Sequence, residues 1–220
     1  MHRTEEADIR QIEQEDTVEK DYTKRKFEDI VELANHGDAE AQYEVGYRFD
    51  NGLDVEQDSR EALKWYLKAS EKGCADAFLA AAEVYYWGHG IRRDKEKSQW
   101  FFLKACSCFE RDYKAGVRPG YSAFRVYEIL YGGYTGDKYV EPANEWLKKA
   151  IGAKYPEAFC ELARRHFLGE DARESNIRAA FMYEQAISLL DPEKDGGVIS
   201  RLEETVRELK RYENGTGEKQ

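Results

Sequence analysis

Several things are scarce in this 220-residue chain, and each scarcity closes off a class of function. Only four cysteines are present, Cys74, Cys106, Cys108 and Cys160, irregularly spaced apart from a lone Cys-x-Cys. A zinc site needs paired Cys-x-x-Cys or interleaved histidines at ligand spacing, so no metal site is expected. The cysteines read instead as small buried hydrophobes kept reduced. The four histidines, His2, His36, His89 and His166, stand far apart in the sequence. No GxxxxGK[ST] loop, HExxH helix, GxSxG elbow or GxGxxG fingerprint occurs, so neither catalytic residues nor a cofactor are expected.

Positive charge is in deficit as well: 34 Lys and Arg face 44 Asp and Glu, a formal net charge of -10. Such a chain repels phosphate backbones, which argues against a nucleic-acid partner. No run approaches the roughly 18 consecutive apolar residues that a membrane span needs. The opening MHRTEEADIRQIEQEDTVEK lacks the apolar centre of a secretory signal, so the expected location is cytoplasmic.

What the chain does have is self-similarity. AEAQYEVGYRFDNGLDVEQDSREALKWYLKASEKG lies over ADAFLAAAEVYYWGHGIRRDKEKSQWFFLKACSCF at a constant offset of 36. Ala41 falls on Ala77, Gly52 on Gly88, Asp58 on Asp94, Tyr66 on Phe102 and Ala69 on Ala105. Two weaker copies follow, YSAFRVYEILYGG with EPANEWLKKAIGA, and PEAFCELARRHFLGE with NIRAAFMYEQAI. The separation of the two marker positions in each unit supports the register: Ala41 to Ala62, Ala77 to Ser98 and Ala158 to Ala179 are 21 apart, and Ala123 to Ala143 is 20. Fixed periods of this length are the signature of stacked repeats.

Each unit reads as two helices. The first carries small or apolar residues at three- and four-residue spacing and stops at Gly52, Gly88, Gly132 or Gly169, where a left-handed cap is expected. The second opens near Asp58, Asp94, Glu141 or Ser175. It then presents a bulky pair, Trp65–Tyr66, Phe101–Phe102, Trp146–Leu147 or Met182–Tyr183, followed three residues later by alanine. Trp65, Tyr85 and Trp100 are expected in the core. The four prolines, Pro119, Pro142, Pro156 and Pro192, all fall at expected helix ends, where the missing N–H matters least.

The resulting organisation is a charged, flexible segment over 1–23, a capping helix over 24–37, and repeats at 38–73, 74–106, 120–154 and 155–190. Residues 107–119 form an insertion, read as a lengthened second helix and loop or as a specialised contact. A second capping helix over 197–213 follows the Gly196–Gly197 break, with Ile199, Leu202, Val206, Leu209 and Tyr212 on one stripe, and 214–220 form a flexible tail.

The pattern Ala-x-Ala-x-x-x-Val-Gly-x-x-Phe-x-x-Gly, then Asp, then Ala-x-x-Trp-Tyr-x-Lys-Ala-x-x-x-Gly, resembles the SEL-one-like repeat, a relative of the tetratricopeptide repeat. Positions 39–73 match it closely, 75–105 well, and 121–153 and 157–186 in part. Glu128 departs from the expected glycine or alanine, and GEDARESN replaces the usual loop of the fourth unit. The resemblance implies an all-α, right-handed α-solenoid (superhelix) of four SEL-one-like helix-pair repeats with N- and C-terminal capping helices. It implies a protein-interaction scaffold or adaptor. The alternatives are a dedicated inhibitor or immunity protein of a bacterial toxin and, lower still, a hydrolase of β-lactamase type, although no serine begins a Ser-x-x-Lys motif. The oligomeric state is left open, with a monomer favoured.

In the related tetratricopeptide arrays the first helices line a concave groove. Carried across by register, this implies protein-binding positions at Glu40, Tyr43, Tyr47 and Asp50 in the first repeat and Asp76, Glu83, Tyr86 and Trp87 in the second. Arg125 follows in the third, beside Ser122 and Ile129, and Arg164 and Phe167 in the fourth. Such a groove would hold a protein or peptide with its basic end toward Asp50 and Glu83 and its acidic end toward Arg125 and Arg164.

Overall fold

The computed structural model describes residues 22, 25–136, 139–170 and 175–213. Ten helices and no strand occur among the described residues. They are α1 (Phe27–Asn35), α2 (Ala39–Asn51), α3 (Ser59–Glu71), α4 (Ala75–Trp87), α5 (Lys95–Lys114), α6 (Pro119–Gly132), α7 (Val140–Gly152), α8 (Pro156–Leu168), α9 (Asn176–Ile187) and α10 (Pro192–Glu213). The fold class is therefore all-α and built from helix pairs. The described residues fall in two compact units, the first ending at Phe101 and the second beginning at Phe102.

Local chemistry fixes where the helices begin. Asp38 accepts from the Ala41 N–H at 2.9 Å, Asp58 from those of Arg60 and Glu61, Asp94 from that of Lys97 at 3.0 Å, and Ser175 from that of Arg178 at 3.3 Å. Each side chain satisfies a donor that the first turn of a helix leaves unpaired. A second bond recurs in all four repeats: the N–H nine residues along donates back to a first-helix carbonyl, Asp58 to Phe49, Asp94 to Tyr85, Tyr139 to Leu130 and Ser175 to His166. This bond closes every helix pair in the same way. In the third repeat it falls on Tyr139, so α7 starts at Val140 and Glu141 lies in its first turn.

Gly52, Gly88 and Gly169 end their helices in the left-handed conformation, as their sequence position predicts. In the third repeat that role belongs to Gly133 at φ 72°, and not to Gly132. Gly132 is the last helical residue, and a Cβ there would run into the Tyr134 ring. The adjacent glycines thus do different things, one making room and one making the turn.

The marker positions that set the sequence register are all fully buried: Ala41, Ala62, Ala77, Ser98, Ala123, Ala143, Ala158 and Ala179. So are the alanines that follow the bulky pairs, Ala69, Ala105, Ala150 and Ala186. Small residues at these points let the bulky pairs of the same helices seat, and Trp65, Tyr66, Phe101, Phe102, Trp146 and Leu147 are all buried. In the first unit α1 packs on α2, α2 on α3 and α3 on α4; in the second, α6 packs on α7, α7 on α8, α8 on α9 and α9 on α10.

Three expectations need correction. Trp100 is 51% exposed, lying edge-on to Phe78 and Phe101 and not beneath them. Gly196 and Gly197 lie inside α10, which starts earlier because Asp191 accepts from the Glu193 N–H, Asp195 accepts from the Asp191 N–H, and Pro192 occupies the first helical position. Along α10, Val206 and Leu209 are buried against Ala179 and Ala180, while Tyr212 is exposed. The insertion follows its reading as a lengthened second helix: residues 107–114 belong to α5, whose 20 residues outlast the 13 of α3 and α7.

The segment expected to be flexible, 1–23, includes one described residue, Tyr22, which is buried with Ile30, Ala34, Ala41, Val45 and Trp65. The rest of that segment and the tail 214–220 lie outside the described residues. Arg48 holds Tyr22 in place. Buried on α2, its guanidinium bonds the carbonyls of Tyr22 and Arg25 and pairs with Glu44 at 2.9 Å and Asp54 at 2.7 Å.

Candidate functional site

In the first unit the register residues of α2 gather at Tyr66, one of the bulky pair that the sequence marks on α3. Tyr66 of α3 is buried with its ring against α2, so close that a Cβ on Gly46 would stand 2.7 Å from it. Tyr43 lies 5.8 Å from Tyr66 and 6.4 Å from Tyr47, ring centroid to ring centroid. Burial pushes the Tyr66 phenol well above its ordinary pKa, and the Asp50 and Glu83 carboxylates push it further, along with Tyr43 and Tyr47. Tyr43 thus links the rings of Tyr66 and Tyr47, and the charges of Asp50 and Glu83 both act to raise the Tyr66 pKa.

Their exposure differs. Tyr47 is 41% exposed and Trp87 is 52% exposed, with Tyr86 edge-on to it at 4.8 Å. Glu40 and Glu83 face solvent, and Tyr43 and Asp50 are half-buried. Asp76 is only 8% exposed and offers a partner little surface. Asp50 accepts from the Ser59 hydroxyl at 3.0 Å, and both border an open polar cleft of about 730 Å³ that also reaches Arg60 and His89.

The second unit presents a different chemistry. Arg164 chelates two carboxylates, with Glu161 at 2.8 Å from two of its nitrogens and Glu170 at 2.9 and 3.1 Å. Tyr127 donates to Glu161 and Tyr131 donates to Glu170 at 2.9 Å, so two tyrosines of α6 buttress the same pair. Arg164 holds the Glu170 carboxyl below the usual range, while burial raises both phenols. Arg125 pairs with Glu128 at 2.6 Å and stacks 4.9 Å from the Tyr121 centroid. The two arginines expected to meet an acidic partner thus already hold carboxylates of their own chain. Ser122 and Ile129 are buried, the former donating to the Val117 carbonyl, so they face the core. Phe167 is 45% exposed at the end of α8, next to exposed Leu168.

Glu161, Glu170, Tyr127 and Tyr131 were missed at the sequence level. Glu161 and Arg164 sit three apart on one helix, a pair that spacing alone could have flagged. Glu170 lies beyond the helix cap and gave no periodic signal. Among the described residues no group of three His, Cys, Asp or Glu is placed to hold a metal ion. All four cysteines are free thiols. No helix among the described residues is long and apolar enough to cross a membrane.

Comparison with known proteins bears on the repeat and the fold. The Sel1 repeat family model matches residues 39–74, 75–108 and 156–189. No curated protein matches the chain. Among solved structures, a Sel1 repeat protein from Oxalobacter formigenes aligns with 72% of this chain and 61% of its own, at 23% identity and a TM-score of 0.49. The protective antigen c5321 of uropathogenic Escherichia coli strains, which displays an SLR fold, aligns with 87% of this chain and 41% of its own, at 23% identity and a TM-score of 0.54. The chain therefore spans less than two thirds of the length of either, and the likeness to c5321 is one of fold.

Proposed function

A chain that carries three Sel1 repeats is a helical-repeat protein of a type that generally mediates protein–protein contact, and we propose that this one is a scaffold or adaptor that binds a protein or peptide on its first helices. The observation that carries the reading is the display of large side chains at the C-terminal ends of those helices: Tyr47 on α2, Trp87 on α4 and Phe167 with Leu168 on α8. Each is 41–53% exposed, so the chain forgoes roughly half of the 1.5–3 kcal/mol that full burial brings. Exposed aromatic side chains of this kind dominate binding hot spots. The four free thiols fit a reducing, cytoplasmic setting, and the net charge of -10 disfavours nucleic acid as partner.

Affinity capture from native lysate with the full chain tests the reading, with Tyr47→Ala and Trp87→Ala variants run in parallel. A specific partner retained by the wild type and lost by correctly folded variants is the expected result. Equal retention by all three proteins places binding elsewhere on the chain.

A further inference from the structure

We propose that the α2–α4 face of the first unit receives a lysine or arginine side chain of a protein partner, its charge beside the Asp50 and Glu83 carboxylates and its aliphatic stem along Tyr47. The inference rests on the binding reading above and narrows it to one chemistry in one unit.

The first support is geometric. Tyr43, Tyr47 and Asp50 stand at i, i+4 and i+7 of α2, so they share one stripe of that helix. The rings of Tyr47, Tyr43 and Tyr66 follow one another at 6.4 and 5.8 Å, ending on the exposed Tyr47. Ring faces carry negative potential, and a cation within about 6 Å of one is attracted to it.

The second support is charge. Asp50 closes the α2 stripe three residues beyond Tyr47, and Glu83 faces solvent on α4 of the next repeat. Asp50 takes its hydrogen bond from Ser59, a neutral donor that leaves the carboxylate's charge in place. An acidic partner would meet like charge here, which costs several kcal/mol. A purely apolar partner would strip water from the two carboxylates without replacing it. A cation with a hydrocarbon stem satisfies both ring and carboxylate.

The third support is the chain's own usage. It already lays Lys68 over Trp65 at 3.7 Å, Lys97 over Tyr85 at 5.3 Å and Arg93 over Tyr86 at 5.9 Å. The second unit shows the contrast, because its arginines are engaged by Glu128, Glu161 and Glu170.

Selection of randomised 12-residue displayed peptides on the full chain, followed by fluorescence polarisation of the labelled winners, tests the proposal. Winners should carry a lysine or arginine at one fixed position. Replacing it with norleucine should weaken binding at least tenfold. The Asp50→Asn/Glu83→Gln double variant, with unchanged helical circular dichroism, should weaken binding to a similar degree, and added salt should weaken wild-type binding. Because the norleucine swap is made on the peptide, it remains decisive even if the double variant misfolds. Peptides lost with Tyr47→Ala but indifferent to norleucine overturn the cation while leaving the surface standing. Peptides indifferent to both Tyr47→Ala and Trp87→Ala overturn the surface itself. A selection that returns no peptide overturns the inference.

Discussion

Single residues in this chain are often fixed by the space beside them. Gly46 faces the buried ring of Tyr66, and its repeat equivalents Ala82 and Ala163 are alanines of zero exposure. Gly46→Ala should gain about 1 kcal/mol of helix propensity and lose more to overpacking against a ring that has nowhere to go. We expect a net loss of about 1–2 kcal/mol in urea denaturation. Lys154 shows the opposite case. Gly37 at φ 95° and Gly73 at φ 85° make the turn between successive helix pairs, and Lys154 makes the same turn at φ 57°. The same bond closes all three turns, from Asp38 to Leu33, Cys74 to Ala69 and Tyr155 to Ala150. A left-handed lysine is strained where glycine is not, so Lys154→Gly should raise stability by about 1 kcal/mol in the same assay. Asp54, also left-handed at φ 62°, differs because its carboxylate holds Arg48.

Elements can override the residues inside them. Gly196 and Gly197 read as a break, yet α10 runs through them, because an N-terminal cap and a proline start the helix before the glycines are reached. A Cβ at Gly197 meets nothing within 4 Å, so Gly197→Ala should lengthen α10's ordered life and add about 0.5–1 kcal/mol. Retarded amide exchange along α10 would report it; unchanged exchange would count against the helix as described. Between α8 and its following turn, Arg164 holds Glu170 with its pKa lowered. A carboxylate so depressed stabilises the folded chain above its unfolded pKa, and that contribution is lost as pH falls through the folded value. Both side chains remain well exposed to solvent, which screens the pair. Arg164→Gln should therefore cost about 1 kcal/mol at pH 7. The gap from wild type should shrink as pH falls from the unfolded carboxylate value of about 4.3 through the lower folded one. Denaturation curves at three pH values would show whether it does.

At the scale of the molecule, the thiols report on folding everywhere at once. Burial pushes Cys106 up to about 12 and Cys74 and Cys160 up to about 11, and raises Cys108 less. At pH 8 a thiol of pKa about 11 is roughly 0.1% thiolate, the reactive form. Ellman's reagent should find these three cysteines at least 100-fold slower in the native protein than in guanidinium, where all four react together. The same shifts fix a sign: stability from the buried thiols is complete below the unfolded pKa and is lost as pH rises through the folded values. Fast native labelling of Cys106 would mean that its part of the fold opens readily.

The division between sequence and structure follows the range of the forces. Repeat length, helix pairs, caps at Asp58, Asp94 and Ser175, and the fully buried alanines were legible, because periodicity and capping are settled within a few residues of chain. Trp65 matches Phe101 at the 36-residue offset, and both are buried; Trp100 matches Lys64, and both are exposed, so the repeat register itself separates the two tryptophans. What the register does not give is what each side chain meets, because that is supplied by other helices. The candidate site divides likewise. Spacing put Tyr43, Tyr47 and Asp50 on one stripe, but only packing laid Tyr43 against the buried Tyr66 and bound Arg164 to two carboxylates. Local geometry determined which residues share a face, whereas contacts between distant segments determined whether a given face carries charge, carries a ring, or is already filled.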